Sequence, residues 1–454
     1  MRIIVIGAGK VGYTLADRLT AEEHDVTIVD RNDAVIERCQ DSMDVMCIRG
    51  NGANARTLVE AGVDRADILI AATASDETNM LCCLMAKRLG AKYTIARIRD
   101  PEYNESQLLL QQEMGIDVAT NPERATAQEI SKLLRFPFAG SIESFARGQV
   151  ELVEFRALKD DVIIGIPLKD IASRVPNIPQ VQYSIVERDK DVIIPSGDFL
   201  IREGDKVYIT GNIVNITNYF RFLGRNSLKV RHCMVLGGGK ITYYLARNII
   251  PLGIHMTIFE MNPEKARALS EQFPKADIIL GDGTDQDLLE EQGLTQMDAY
   301  ISLSNRDEEN LMTSMYASRK GVPKVIAKNT RTAYADILNQ LGLDSIVSPQ
   351  SITCSTILRY VRAREHSKGT QIERLYRLAD GKAEAMEFIA RAGDSYIGIA
   401  LKDLHIRPGN LVSLILHPGK VIIPFGNDRI EAGDHVLIIS RESGIGDLNE
   451  VLYL

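Results

Sequence analysis

The amino-acid sequence contains one pattern of motifs twice, in the same order. Residues 3–19 (IIVIGAGKVGYTLADRL) correspond to residues 233–249 (CMVLGGGKITYYLARNI), 230 positions further along the chain. GNGANARTL and AATASDETNM in the first half correspond to GDGTDQDLL and SLSNRDEENL in the second. Because nearly every connecting loop keeps its length, a whole set of domains has been duplicated. Each copy opens with a nucleotide-binding signature, so the function must be sought in a pair of sites.

Each half begins with short apolar strands that alternate with helical segments. RIIVI (2–6) precedes a glycine-rich turn and an amphipathic helix, and DVTIVD (25–30) precedes a second helix. This alternation predicts a parallel sheet with helices on both faces, the doubly wound α/β fold of Rossmann-like domains. The pattern returns from Arg231 to about Ser348, and one more helix is predicted after each unit.

The remainder of each half has a different residue pattern. Residues 149–210 and 384–440 alternate β-branched with polar residues, include strand candidates such as DVIIG (161–165), and contain turn pairs such as Ser196-Gly197. This pattern predicts small α+β domains that are rich in hairpins. The predicted boundaries are 1–140 and 229–366 for the Rossmann-like domains, and 141–225 and 370–454 for the small domains.

Composition excludes several classes of protein. At 454 residues the chain is too long for one core and suits three or four domains. The net charge of −8 argues against a nucleic-acid-binding protein, which is usually basic. No apolar stretch approaches the roughly 18–20 residues needed to span a bilayer, and the chain enters a strand too soon for a signal peptide. The six cysteines have no metal-binding spacing, so we expect a soluble cytoplasmic protein with reduced thiols and no metal site.

The first copy carries a complete GxGxxG fingerprint in the context that it requires. Gly7, Gly9 and Gly12 follow a strand and open a helix, and Asp30 ends the next strand. Such glycines make a tight turn, let the backbone approach the phosphates and let the helix pack on the strand. Phosphates would then lie at the helix N-terminus, and Asp30 would accept hydrogen bonds from the ribose hydroxyls. Arg31 follows this acid, so NADP is disfavoured but not excluded, and an empty Rossmann fold is the alternative.

The second copy is less regular. It keeps the first two glycines but has Thr242 in the third position, so we expect the helix and the strand to pack slightly apart. Glu260 supplies the ribose carboxylate, and Asp282 stands where the first copy has Asn51. The two sites are therefore expected to differ in affinity or ligand preference, and an empty second site is the alternative.

Residues near the ends of later strands can complete each site. Arg97 and its counterpart Lys328 could bind phosphate, with an ordinary solvated charge as the equal alternative. The acids that open the following helices, such as Asp76 and Asp307, are more simply explained as helix caps.

The sequence lacks the groups that a dehydrogenase needs beside its nicotinamide. None of the seven histidines has a counterpart in the other half or follows a strand of a nucleotide domain, and no Ser/His/Asp, HExxH or P-loop pattern is present. These absences favour a nucleotide sensor that is not an enzyme, and an NAD-dependent oxidoreductase is the alternative.

The motifs VIGAGKVG, TIVD, AATASDETNM and ARIRD, with VLGGGKIT, GDGTDQDLL and SLSNRDEENLM in the second half, resemble a known family. They are similar to the TrkA family of cytoplasmic regulatory proteins of bacterial Trk potassium uptake systems, which are built from tandem RCK (KTN) domains. The resemblance covers essentially the whole chain. The chain departs from the family pattern at Asn51 and at Thr242, and these are positions at which its two nucleotide sites have different residues.

The resemblance implies a protein without transmembrane segments that docks on the cytoplasmic face of a membrane potassium-translocating subunit of the TrkH or TrkG type. It also implies a homo-oligomer, a dimer or a tetramer, that closes into a ring through RCK lobes, with small domains that dimerise. NAD(H) and ATP or ADP are the implied ligands. A regulator of a different cation exchanger is the alternative.

Motifs and resemblance together give two sets of expected binding residues. In the first site they are Gly7, Ala8, Gly9, Lys10, Val11, Gly12, Asp30, Gly50, Asn51, Thr73, Ala74 and Arg97. In the second site they are Gly237, Gly238, Gly239, Lys240, Ile241, Glu260, Asp282, Ser304, Asn305 and Lys328.

Overall fold

The computed structural model describes the chain from Met1 to Leu452 with several gaps. The residues outside the description are 104–106, 190, 226–229, 331–342, 344, 367–371, 418–419, 443–444 and 453–454. The described residues form two six-stranded sheets and two five-stranded sheets, in alternation along the chain. Residues 226–229, between the predicted first small domain and the body of the second Rossmann-like domain, lie outside the described residues.

The first six-stranded sheet and its helices make up the unit that we call the first lobe. Its strands are β1 (Arg2–Ile6), β2 (Asp25–Asp30), β3 (Met46–Arg49), β4 (Ile68–Ala71), β5 (Tyr93–Arg97) and β6 (Val118–Thr120). Its helices are α1 (Lys10–Ala21), α2 (Asp33–Ser42), α3 (Ala55–Glu60), α4 (Asp76–Leu89), α5 (Gln107–Glu113) and α6 (Pro122–Arg135). All strand pairs are parallel, in the order β3-β2-β1-β4-β5-β6. The predicted doubly wound fold is therefore confirmed, with the strand order reversing between β1 and β4, where such sheets bind ligands.

The first small domain follows as an antiparallel sheet. It contains β7 (Ile142–Phe145), β8 (Val150–Arg156), β9 (Gln182–Arg188), β10 (Asp191–Ile193) and β11 (Lys206–Asn212), with α7 (Ile171–Arg174) and α8 (Ile213–Phe222). The strand order is β10-β9-β11-β8-β7. The strand suggested by DVIIG is wrong, because residues 162–165 form turns. The Asp161 carboxylate there accepts the Leu158 N–H at 2.8 Å, which favours a local turn over a ladder.

The second half repeats this plan. The second lobe contains β12 (His232–Leu236), β13 (His255–Glu260), β14 (Asp277–Leu280), β15 (Ala299–Ser302), β16 (Lys324–Lys328) and β17 (Ile346–Val347). Its helices are α9 (Lys240–Ile249), α10 (Pro263–Gln272), α11 (Gln286–Glu291), α12 (Asp307–Arg319) and α13 (Pro349–His366). The second small domain contains β18 (Ile372–Leu378), β19 (Ala383–Ile389), β20 (Asn410–His417), β21 (Lys420–Ile422) and β22 (His435–Ser440). Both sheets have the strand orders of the first half.

The two lobes exchange their last helices. The apolar face of α6 buries Ile130 and Leu134 in one cluster with Leu245 of α9, which belongs to the second lobe. Reciprocally, Leu358 of α13 is buried with Leu15 of α1 in the first lobe. Each lobe thus covers its first helix with apolar surface from the other lobe, which ties the two lobes together by the hydrophobic effect.

The small domains pack against each other through their sheets. One apolar cluster contains Phe145 and Ile185 from the first domain with Tyr376 and Leu414 from the second. Within this interface the equivalent residues Ser184 and Ser413 meet, with 2.8 Å between their hydroxyl oxygens. The duplication therefore produces two pseudo-symmetric pairs of domains in one chain.

Candidate nucleotide sites

The first glycine loop has the geometry that its sequence predicts. Gly7 has a φ of +88°, and a Cβ there would lie 3.0 Å from atoms of Thr73. A Cβ on Gly12 would lie 1.9 Å from the carbonyl oxygen of Gly7, so a side chain at this position would separate the helix from the loop. A Cβ on Gly9, in contrast, would meet no atom within 4 Å. Gly7 and Gly12 are thus required by packing, whereas Gly9 leaves the backbone open to a ligand.

The helices behind the two glycine loops begin without a side-chain cap. Gly9 precedes α1 and Gly239 precedes α9, and neither helix has an acid in its first turn. Asn32, in contrast, caps α2 through a hydrogen bond from the Ala34 N–H. Uncapped first-turn N–H groups and the positive end of the helix dipole favour an anion. Both helix ends therefore suit a phosphate group.

The two strand-end acids are oriented by the backbone. Asp30 accepts the Ala8 N–H at 2.8 Å and the Asn32 N–H at 2.9 Å, one on each carboxylate oxygen. Glu260 repeats this with the Gly238 N–H at 3.0 Å and the Asn262 N–H at 2.8 Å. A carboxylate oxygen has more than one lone pair, so each acid can still accept a hydrogen bond from a ribose hydroxyl.

The irregular third position of the second fingerprint is bonded to the glycine loop itself. Thr242 is fully buried, and its hydroxyl donates a hydrogen bond to the Gly237 carbonyl oxygen. The threonine side chain thus bonds to the loop carbonyl that Gly12 only approaches, and the slightly wider spacing of helix and strand expected here stays a prediction.

The two glycine loops open onto one cleft of about 870 Å³ between the lobes. Its cations are Lys10, Arg31, Arg97, Lys240, Lys265 and Lys328, and its carboxylates are Asp30 and Glu123. The lobes also touch across it, since Lys10 Nζ lies 3.5 Å from Thr330 Oγ1. Three of the cations come from the second lobe, so a polyanionic ligand in the first glycine loop would be held by both lobes.

Glu123 is one of the two carboxylates that line this positive cleft. Its carboxylate lies 3.8 Å from the Arg97 guanidinium, and its charge opposes the fall in the pKa of Lys328 that burial causes. Burial also lowers the pKa of Arg97, and Glu123 opposes that shift as well. Arg97 Nε and one oxygen of Glu123 are buried without a hydrogen-bond partner in the described structure. Such unpaired polar atoms fit a site that a further polar ligand completes.

The acid that opens α4 does not cap it. Ser75 is the cap, accepting the Thr78 N–H at 3.0 Å. Asp76 instead accepts the backbone N–H groups of Arg99 and Asp100, each at 2.8 Å. Asp307 has the same role in the second lobe, where it accepts the Thr330 N–H at 3.1 Å. The capping interpretation of these acids is wrong, because they fix the loop after the fifth strand at the cleft edge.

Most residues expected in the first site line the cleft. They are Gly7, Gly9, Lys10, Val11, Asp30, Gly50, Asn51, Thr73, Ala74 and Arg97. Ala8 is fully buried, and Gly12 lies beneath the loop. Of the residues expected in the second site, five line the same cleft, namely Gly239, Lys240, Ile241, Asn305 and Lys328.

The other expected residues of the second site lie outside the lining. They are Gly237, Gly238, Glu260, Asp282 and Ser304. Glu260 binds the glycine loop, and Asp282 accepts the Thr284 N–H of its own loop at 2.9 Å. The sequence reasoning missed Glu123, Lys265, Thr330, Pro349 and Gln350, which do line the cleft. Glu123 and Gln350 were detectable, because NPE and SPQ follow the last strand of each parallel sheet, where ligand crevices open.

Replacing Glu123 with glutamine, its counterpart in the second lobe, is expected to strengthen ATP binding several-fold in buffer with a chelator. The change removes a negative charge from a cleft that Arg97 and Lys328 also line, so the cleft becomes more attractive to a polyanion. Calorimetric titration measures the affinity, with Glu102→Gln on the neighbouring exposed turn as the control. Weaker binding would contradict the electrostatic interpretation.

Within the described residues, every helix is too short or too polar to cross a membrane. The same residues contain no group of three or more His, Cys, Asp or Glu side chains that could hold a metal ion.

Two known domain families each match this chain twice, once in each half. The TrkA-N domain model matches residues 3–122 and 233–349, and the TrkA-C domain model matches 152–224 and 385–453. The Trk system potassium uptake protein TrkA of Vibrio alginolyticus is 33% identical over 96% of this chain and 95% of its own length. The protein of the same name from Haemophilus influenzae is 31% identical over 99% of this chain and 98% of its own length.

Solved structures share the fold at low sequence identity. The GsuK channel bound to NAD has a TM-score of 0.64 and 16% identity, covering 97% of this chain and 76% of that chain. The GsuK RCK domain gives a TM-score of 0.63 over 97% of this chain and 92% of that chain. The parallel and antiparallel sheets of this chain are therefore those of RCK domains. Since the domain models match both halves and the relatives match nearly the whole length, this chain belongs to the TrkA family, the regulatory subunits of Trk potassium uptake systems.

Proposed function

We propose that this chain is a cytoplasmic sensor, peripheral to the inner face of the cell membrane, that gates a potassium-translocating subunit of the TrkH or TrkG type. Its ligands are NAD(H) and ATP or ADP. The observation that carries the proposal is the shared cleft, onto which both glycine loops open and which six cations line. Family membership supports the transport role, and the GsuK channel, solved with NAD and with ADP, supports the ligand class.

The position of the cleft suggests how binding becomes a conformational signal. Phosphates at the start of α1 would face Lys240 and Lys328 of the second lobe, so their binding energy depends on how closely the lobes approach. A ligand shifts a conformational equilibrium only by its difference in affinity for the two states. A tenfold preference is worth about 1.4 kcal/mol at each site, and the sites of a dimeric or tetrameric ring add together.

Removing either strand-end acid is expected to weaken one class of nucleotide site at least about tenfold, the loss of roughly one charged hydrogen bond. Asp30→Ala tests the first site and Glu260→Ala the second. Calorimetric titration of the purified protein with NAD⁺, NADH, NADP⁺, ATP and ADP measures affinity and stoichiometry.

The matched controls are Asp33→Ala and Glu264→Ala. Asp33 lies in the first turn of α2, which follows Asp30, and Glu264 lies in the first turn of α10, which follows Glu260. Both side chains are exposed and outside the cleft lining. We expect wild-type binding in both. If NAD⁺ and ADP bind the combined Gly9→Val and Asp30→Ala variant with wild-type stoichiometry, the first site is wrongly assigned. Potassium uptake by cells that carry each variant then tests whether lost binding is lost gating.

A further inference from the structure

The strand order of each Rossmann-like sheet sets where the base of a bound nucleotide lies. In the first lobe β3, β2 and β1 are neighbours in that order, with the glycine loop after β1 and Asp30 at the end of β2. Phosphates at the glycine loop and a ribose at Asp30 direct the base, on the far side of the ribose, towards the loop after β3. That loop starts beside the ribose acid, because the Gly50 N–H donates to the Asp30 carbonyl oxygen at 2.8 Å. Arg31 and Asn51 line the cleft at this base end.

The loop after the third strand makes the same turn in both lobes. In the first lobe Asn51 Oδ1 accepts the Ala53 N–H at 3.1 Å. In the second lobe Asp282 Oδ1 accepts the Thr284 N–H at 2.9 Å. Asn51 and Asp282 therefore occupy equivalent positions, and the two lobes differ there in the chemistry of the side chain.

The first lobe has hydrogen-bond donors at the base end. Because Asn51 Oδ1 is bound to a backbone N–H, the Asn51 amide nitrogen lies on the other side of the carboxamide and carries two donors. Within the described part of the chain, neither this nitrogen nor the Arg31 guanidinium has a hydrogen-bond or ion-pair partner. Arginine donors suit the O6 and N7 acceptors of a 6-oxopurine, and an amide donor suits O6 as well.

The second lobe has an acceptor at the equivalent position. Hydrogen bonds from the Thr284 N–H and hydroxyl hold the pKa of Asp282 below its ordinary value of 3.8, so the carboxylate is ionised at neutral pH. An ionised carboxylate can only accept, so it binds the amino group of adenine and repels the O6 of a 6-oxopurine. Met261, the counterpart of Arg31, is 66% exposed and offers no donor. Arg306 acts electrostatically on Asp282, but its guanidinium is paired with Glu309 of α12.

We propose that the first site accepts 6-oxopurine nucleotides, those of hypoxanthine and guanine, at least as well as adenine nucleotides, whereas the second site selects adenine. The inference rests on the proposed function, since it concerns the base of the nucleotides that the two sites bind. Arg31 and Asn51 set the preference of the first site, and Met261 and Asp282 set that of the second. The duplicated lobes then respond to two different nucleotide pools within one chain.

Calorimetric titration of the full-length protein with ADP and with inosine 5′-diphosphate tests this selectivity, because the two probes differ only at C6 and N1 of the base. The Glu260→Ala variant leaves the first class of site to dominate the titration, and Asp30→Ala leaves the second. In Glu260→Ala we expect inosine diphosphate to bind at least as tightly as ADP. In Asp30→Ala we expect ADP to bind at least about tenfold more tightly, the effect of one mismatched hydrogen bond.

Exchange of the base-end residues makes the test independent of overall affinity. In the Glu260→Ala background, Arg31→Met with Asn51→Asp copies the second lobe and is expected to shift the ratio of the two affinities about tenfold towards ADP. The ratio is the readout, because the change of charge weakens both diphosphates alike. The matched control, Asn54→Asp with Arg56→Met, makes the same change of charge at exposed residues outside the cleft lining. It should leave the ratio unchanged.

The outcomes distinguish this inference from the proposed function. A tenfold preference for ADP in Glu260→Ala, no preference in Asp30→Ala, or a ratio that the exchange leaves unchanged would overturn the inference while the nucleotide sites stand. If neither diphosphate binds the first site, the proposed function fails as well. Should the exchanged variant fail to fold, Asp282→Asn in the Asp30→Ala background is the reverse test. We expect it to lose the selection for ADP, and selection that persists there would contradict the inference.

Discussion

Replacing Gly12 with valine is expected to weaken nucleotide binding in the first lobe strongly and to lower the free energy of unfolding by about 3 kcal/mol. Its Cβ would lie 1.9 Å from the Gly7 carbonyl oxygen and 3.0 Å from the Gly7 carbonyl carbon. A backbone group cannot turn aside as a flexible side chain can, so the loop and α1 must separate. We expect binding of NAD⁺ or ADP at the first site to weaken at least about 100-fold, since the N–H groups at the start of the helix move away from the phosphates.

The Gly9→Val variant distinguishes the loss of nucleotide binding from the loss of stability. Gly9 has a φ of −62°, which any residue adopts, and a Cβ there meets no atom within 4 Å. This variant should therefore lose binding, because the valine fills the cleft, and keep the wild-type urea midpoint. Titration calorimetry and urea denaturation, applied to both variants, check these outcomes. A Gly12→Val protein with unchanged stability would show that the loop can reorganise, contrary to the packing argument.

Replacing Arg362 with methionine is expected to destabilise the protein by about 3 kcal/mol and to weaken the attachment of α13 to the first lobe. Arg362 Nε donates to Glu22 Oε2 at 3.0 Å, and Arg362 and Glu22 are 11% and 12% exposed. Arg377 of β18 also contacts Glu22, at 3.5 Å. The substitution leaves the Glu22 carboxylate nearly buried with only the more distant Arg377 as a partner. Urea denaturation measures the loss, and exchange protection of α1 and α13 shows where it occurs.

Arg267→Met is the matched control. Arg267 pairs with Glu271 on the surface of α10, with side chains 84% and 68% exposed, so solvent screens the pair. We expect a change below about 0.5 kcal/mol. Equal effects of the two substitutions would show that the Glu22 pair does not hold the lobes together.

The Glu22 pair also predicts a pH dependence. Burial raises the pKa of Glu22, but the hydrogen bond and charge of Arg362, with the charge of Arg377, outweigh burial and hold it below its ordinary value of 4.5. The unfolded chain then binds the proton more tightly than the folded protein does. The pair stabilises the fold above the unfolded pKa, and this contribution is lost as the pH falls below about 4.5. The stability difference between wild type and Arg362→Met should therefore shrink from pH 6 to pH 3.

The first candidate site was largely predictable because its residues are close in sequence and their spacing is physically constrained. Gly7, Gly12 and Asp30 are fixed by one strand, one turn and the next strand, and local backbone geometry gives each its place. The role of Asp76 was mistaken because capping is a local rule. The groups that Asp76 binds, the N–H groups of Arg99 and Asp100, belong to a distant strand end.

The duplication, the two doubly wound sheets, the hairpin-rich small domains and the family can all be read from the amino-acid sequence, because periodicity and motif spacing depend on neighbours along the chain. The folded chain was needed to show that the two glycine loops share one cleft, that α6 and α13 are exchanged between lobes, and that Glu123 and Lys328 line the same cleft. These relations depend on which apolar faces pack together across hundreds of residues of sequence, and local residue spacing does not specify that packing.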